Sequence, residues 1–161
     1  MINRLPIQND TDEILAQRVI GLAMDVHNIL GCGLVESIYV GGLCVELQQA
    51  GIAFEREKRF TVSYKGVENG CCISDLVIDN RLIVEAKAVD SLAIAHSVQL
   101  VNYLALSKID LGLLLNFGPR KLEFKTKTRL HPGMPELPIF FNNSVHSVHS
   151  VHSVKNSPSH A

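Results

Sequence analysis

The stretch Ile73-Ser74-Asp75-Leu76-Val77-Ile78-Asp79-Asn80-Arg81-Leu82-Ile83-Val84-Glu85-Ala86-Lys87 reads as strand, turn, strand. Both arms are rich in β-branched and aliphatic residues, and Asp79-Asn80 between them is turn chemistry, because short polar side chains bond their own backbone and tolerate left-handed dihedrals. Three ionisable groups interrupt the apolar arms. Burying Asp75, Glu85 and Lys87 is costly unless a metal, a substrate or one another serve as partners. Strand side chains alternate faces, so register decides whether they cooperate. A three-residue loop at 79–81 pairs Ile78 with Leu82, Asp75 with Glu85 and Ile73 with Lys87. All three charged groups then share one face, with the carboxylates roughly 5 Å apart at Cβ, a spacing that suits a divalent ion. A two-residue loop would pair Asp75 with Val84 and send Glu85 to the other side.

Outward from this hairpin, residues 11–30 carry apolar side chains at helical spacing with acids in the first turn. Gly31-Cys32-Gly33 ends that helix, and a second runs from about Val35 to Ala50, stopping at Gly51 as a C-cap. Strands are expected at 52–57, 59–65, 71–78 and 82–88, a third helix at 91–107, and strands at 111–117 and 121–128. The order of two helices, strands, a helix and strands predicts an α/β fold, a mixed sheet flanked by helices.

With 161 residues and 47% hydrophobic content, the chain is long enough for one domain with a real core. We place that domain at 1–130. After Leu130 come four prolines and the repeat Ser144-Val-His, Ser147-Val-His, Ser150-Val-His, Ser153-Val-Lys. This 131–161 tract lacks a core-forming pattern and is expected to be a disordered tail. No apolar run approaches the roughly 18 residues that cross a bilayer, so the expectation is a soluble, cytoplasmic protein without a membrane partner. Cys32, Cys44, Cys71 and Cys72 show no C-x-x-C spacing and read as reduced thiols. The net charge of −1 excludes nucleic-acid binding by bulk charge. Phosphate contacts must come from local patches, for which Arg56, Lys58 and Arg59, and Lys121, Lys125, Lys127 and Arg129, are the candidates; each patch is also explicable as a solvated strand face.

Two further motifs complete the pattern. Gly33-Leu-Val-Glu36-Ser-Ile-Tyr39 puts Glu36 in the first turn of the second helix, where the dipole alone would favour an acid. Gln99-Leu-Val-Asn-Tyr103 places Gln99 and Tyr103 on one face of the third helix, with His96 a turn earlier. Together with Tyr64-Lys-Gly, Asp75-Leu-Val, Val84-Glu85-Ala-Lys87 and Gly112-Leu-Leu-Leu-Asn116-Phe117-Gly118, these motifs make residues 11–127 resemble the family named for its G-x-x-E-x-x-Y motif, a branch of the PD-(D/E)XK nuclease superfamily.

The resemblance implies a restriction-endonuclease-like α-β-β-β-α-β core and a Mg²⁺- or Mn²⁺-dependent nuclease acting on nucleic acid, DNA foremost. It implies that Asp75, Glu85 and Lys87 are the acid and E-x-K positions, Glu36 the helix acid, and Gln99 with Tyr103 the Q-x-x-x-Y element. The chemistry agrees. Phosphodiester hydrolysis needs an activated water and a cation to offset charge building on the phosphate. Asp75, Glu85 and Glu36 offer hard oxygens to a metal, and Lys87 offers a positive donor near the attacking water. The competing expectation is a non-catalytic nucleic-acid-binding or interaction module that keeps the fold.

Overall fold

The computed structural model describes residues 11–129. Helix α1 (Asp12–Leu30) starts where the Thr11 hydroxyl accepts from the Ile14 N–H, and Gly31 follows at φ 72°. Helix α2 (Glu36–Gln49) ends before Gly51, whose φ of 67° gives the expected left-handed exit. Then come β1 (Phe54–Tyr64), β2 (Val67–Ile78), β3 (Leu82–Lys87), α3 (Ile94–Ser107), β4 (Leu111–Asn116) and β5 (Glu123–Thr128). The five strands lie in sequence order in one mixed sheet. β3 and β4 are parallel because α3 crosses between them, while the other neighbours are antiparallel. This is the α/β architecture expected, with a restriction-endonuclease-like core.

Both faces of the sheet are covered. α1 and α2 bury Leu15, Val19, Val26, Tyr39, Leu43 and Leu47 against Leu76, Ile78, Val84, Leu113 and Phe117. On the opposite face, α3 lays Leu100, Tyr103 and Leu104 on Val77, Ile83 and Leu114. β3 is central and buried on both sides, which explains the apolar run Leu82-Ile83-Val84 ahead of Glu85.

The first two strands differ from expectation. Instead of separate strands at 52–57 and 59–65, one strand runs through Lys58, and β2 begins at Val67 instead of residue 71. What reads as a break is a change of face. Phe54 packs toward α1 and α2, yet Phe60, an even number of residues away, packs toward α3. Cys72 and Val77 likewise share the α3 side although an odd number of residues separates them. The switch occurs at Glu57, which sits at φ 53°. Here the β1–β2 ladder passes from the Arg56–Leu76 pair to Lys58–Ser74 and skips Glu57 and Asp75. A local left-handed residue inverts the strand without changing its register. The third helix starts at Ile94 instead of residue 91, and the last strand at Glu123 instead of residue 121.

The tail expected at 131–161, with its SVH repeat, lies outside the described residues. Among the described residues, no helix is long and apolar enough to cross a membrane. Cys32, Cys44, Cys71 and Cys72 are all free thiols.

Candidate active site

The turn at 79–81 is the three-residue loop expected. Asp79 and Asn80 adopt φ 50° and 54°, and the Arg81 N–H donates to the Ile78 carbonyl at 2.9 Å. The Arg81 guanidinium binds Asp12 at 2.8 Å and Asp79 at 3.3 Å, tying the turn to the start of α1. Pairing follows as Ile78–Leu82, Val77–Ile83 and Leu76–Val84. It stops there. The continuous ladder expected through Asp75–Glu85 to Ile73–Lys87 is replaced by a fork, because β2 changes face at Asp75 and leaves its neighbour.

The two carboxylates occupy that fork. Glu85 Oε1 accepts from the Asp75 N–H at 3.3 Å, and Asp75 Oδ2 accepts from the Ala86 N–H at 2.8 Å. Each acid thus satisfies a backbone donor that the diverging ladder has released, which holds both side chains at the split. Lys87 donates to Glu85 Oε2 at 3.4 Å and lies 3.8 Å from Glu36 Oε2 at the start of α2. Asp75, Glu85, Lys87 and Glu36 therefore meet at the end of β3, on three different elements.

Electrostatics sets these acids apart. Glu85 is buried, its side chain 2% exposed. Desolvation, followed by repulsion from Asp75, pushes it up to about 8 against the pull of Lys87. Glu36 is also raised, by partial burial first, although Lys87 and His96 oppose the shift. A site that penalises its own negative charge favours a divalent cation. Among the described residues, no three His, Cys, Asp or Glu side chains form a ready-made metal cluster. The donor set nevertheless fits a hard cation: Asp75 and Glu85 are adjacent carboxylates, each with one oxygen on a backbone N–H, and the second oxygen of Glu85 is met by Lys87.

Gln99 and Tyr103 share a helical face as expected and bond to each other, Gln99 Nε2 donating to the Tyr103 hydroxyl at 2.8 Å. That hydroxyl donates to the Ile73 carbonyl at 2.9 Å, so the pair braces β2 two residues ahead of Asp75. Burial raises the Tyr103 phenol above its usual range, which keeps its proton on the donor side of this bond. His96 Nδ1 accepts from the Ala93 N–H at 3.2 Å, closing the first turn of α3.

The basic candidates divide. Lys125 is in register with Leu114, and Leu114 with Glu85, so Lys125 shares the sheet face of Glu85 two strands away, about 10 Å across. Lys127, opposite Gly112, lies in the same row system. Arg129 is held by Asp110 at 2.8 Å, Lys58 by Glu55 at 2.6 Å and Asn80 at 3.2 Å, and Arg56 lies 3.9 Å from Glu57. Sequence reasoning assigned no role to Glu57 or Asn116. Glu57 carries no local signal for its left-handed backbone. Asn116 does, as a polar side chain closing an apolar strand: it is buried, and its Oδ1 accepts from the N–H groups of Val89 at 3.0 Å and Gly118 at 3.2 Å.

Comparison with known proteins adds three findings. The family model of the PD-(D/E)XK nuclease superfamily matches residues 13–128. No curated protein matches. Among solved structures, the crystal structure of SSO0001 is similar at a TM-score of 0.49 and 22% identity, over 59% of this chain and 50% of that one, so the match spans half of that protein's length.

Proposed function

The chain belongs to the PD-(D/E)XK nuclease superfamily, and from that membership we propose that it is a nuclease that hydrolyses nucleic-acid phosphodiester bonds, with DNA as substrate and Mg²⁺ or Mn²⁺ as cofactor. Within the superfamily we assign it to the branch marked by Gly33, Glu36 and Tyr39. The observation that carries the reading is the fork: two carboxylates held by each other's strand, with one lysine within ion-pair reach of both Glu85 and Glu36.

Asp75 and Glu85 would hold the divalent ion, with Glu36 facing it from α2. When bound, the ion supplies Lewis acidity toward the phosphate and lowers the pKa of water. Lys87 is a donor with fixed positive charge and no acceptor capacity, suited to orient the attacking water and stabilise the phosphorane-like oxygens as charge builds. It lies within ion-pair reach of two acids, Glu85 and Glu36. Gln99 and Tyr103 keep β2 in place behind Asp75. Lys125 and Lys127 on β5 would contact the substrate backbone, while Arg129, Arg56 and Lys58, with acidic side chains beside them, would contribute less.

The test is incubation of the purified protein with single- and double-stranded DNA and RNA, with chelator, Mg²⁺ or Mn²⁺. Metal-dependent cleavage that is lost in Lys87→Ala supports the reading. Binding of nucleic acid without cleavage under any metal would favour a non-catalytic module instead.

A further inference from the structure

Four contacts close a circuit around Lys87 and Glu36. The Phe117 N–H donates to the Lys87 carbonyl at 2.7 Å, at the end of the β3–β4 pair. The Phe117 ring stacks on Tyr39, centroids 4.6 Å apart and planes 11° from parallel. The Tyr39 hydroxyl donates to the Gly31 carbonyl at 2.8 Å and accepts from the Leu34 N–H at 3.2 Å. That bridge fastens the loop that delivers Glu36, whose carboxylate returns to Lys87 at 3.8 Å.

The rest of the neighbourhood locks this circuit. Asn116 clamps Val89 and Gly118 on either side of the Lys87–Phe117 bond. Gly118 has no room for a side chain, because a Cβ there would overlap the Val89 backbone carbonyl. His27 stacks on the Phe117 ring at 6.1 Å, and its Nε2 lies 2.9 Å from the Pro119 carbonyl oxygen. Packing alone does not call for a phenol at residue 39. Tyr39 is wholly buried, and a phenyl ring would fill the same space; its hydroxyl instead secures a loop whose Gly31 and Gly33 stand at φ 72° and 99°. Without that bridge, the loop has two glycine pivots immediately before Glu36.

We infer that Tyr39 and Phe117 are positioning residues that set the distance between Glu36 and Lys87. They act through those two groups and touch no substrate. The assignment rests on the nuclease reading, in which both charged groups serve the reaction.

Tyr39→Phe keeps the ring and its stack and removes only the hydroxyl. It should lower kcat ten- to a hundredfold with KM unchanged, the scale on which small misplacements act. A double-mutant cycle with Glu36→Gln separates positioning from general support of the fold. In the Glu36→Gln background, Tyr39→Phe should change kcat less than about twofold. An equal loss in both backgrounds, or an unchanged kcat in the single variant, overturns the inference. A crystal structure of Tyr39→Phe tests the geometry without any reaction: the Lys87–Glu36 separation should exceed about 4 Å, the ion-pair limit, and an unaltered contact overturns the inference. If wild type cleaves no nucleic acid, the nuclease reading fails, and this crystallographic distance alone decides whether Tyr39 sets the geometry.

Discussion

Replacing Glu85 by Gln should stabilise the metal-free protein, and increasingly so as pH rises. The Glu85 carboxyl is raised from 4.5 to about 8 in the fold. Because the folded value lies above the unfolded one, the native state holds a proton that the unfolded chain releases. Stability is therefore greatest below pH 4.5 and declines as pH rises toward 8. At about 1.4 kcal/mol per decade, the ceiling on this loss is about 5 kcal/mol above pH 8, about 3 at pH 7 and about 1 at pH 5. Local relaxation and water reaching the fork reduce these figures, so we expect Glu85→Gln to gain about 2–3 kcal/mol at pH 8 and less than about 1 at pH 5. Glutamine keeps the acceptor for the Asp75 N–H and nearly the same volume. Lys87 retains Glu36 as a partner.

The assay is urea unfolding of both proteins in chelator at pH 5, 7 and 8. For a domain of this size, a difference of 2–3 kcal/mol corresponds to a thermal shift of roughly 10 °C. Millimolar Mn²⁺ should then narrow the gap at pH 8, because an ion that binds only the folded wild type stabilises it by mass action. A gain of the same size at pH 5 and pH 8, or none at either, would refute the argument that Glu85 is held against its own ionisation.

Lys87→Ala should abolish cleavage, by about a hundredfold or more, while leaving Mn²⁺ affinity intact or higher, whereas Asp75→Ala should weaken both; calorimetric titration beside a cleavage assay separates them. Cleavage at the wild-type rate by Lys87→Ala would remove the lysine from the mechanism. Gly118→Ala should cost roughly 3 kcal/mol in denaturant unfolding, since its Cβ would meet backbone atoms of Val89 that cannot swing aside. Glu57→Gly should raise stability by up to about 1 kcal/mol, because glycine accepts φ 53° without the penalty an L side chain incurs there; a loss larger than about 1 kcal/mol would show that the side chain of Glu57 contributes more than its backbone costs.

Much of the fold was legible because its signals are local. Acids open α1, Gly51 closes α2, and the Asp79-Asn80 turn sets the β2–β3 register, each governed by residues within a few positions. The site was legible for a different reason: Asp75, Glu85 and Lys87 are charges in strands that are otherwise apolar, and such anomalies point to chemistry. What escaped the sequence is the long-range geometry. Glu57 is not glycine, asparagine or aspartate, so nothing nearby announces a left-handed residue. Its conformation accompanies the change of face by which Phe54 joins the core under α1 and α2 and Phe60 the core under α3.

That inversion links fold to site. A strand that alternated regularly would continue its ladder past Leu76, and the Asp75 and Ala86 amides would bond main-chain carbonyls. With the ladder ended, those amides need other acceptors, and the carboxylates of Glu85 and Asp75 supply them. The same split lets Tyr103 reach the Ile73 carbonyl from α3, which fixes the departing strand. Two carboxyl groups then stand side by side, Glu85 buried and Asp75 half-buried, and ionising both is costly in isolation, a cost that a cation offsets. The separation of β2 from β3 at Asp75 is thus the structural cause of the adjacent carboxylates, and the nearness of Asp75 adds its repulsion to the burial that raises Glu85.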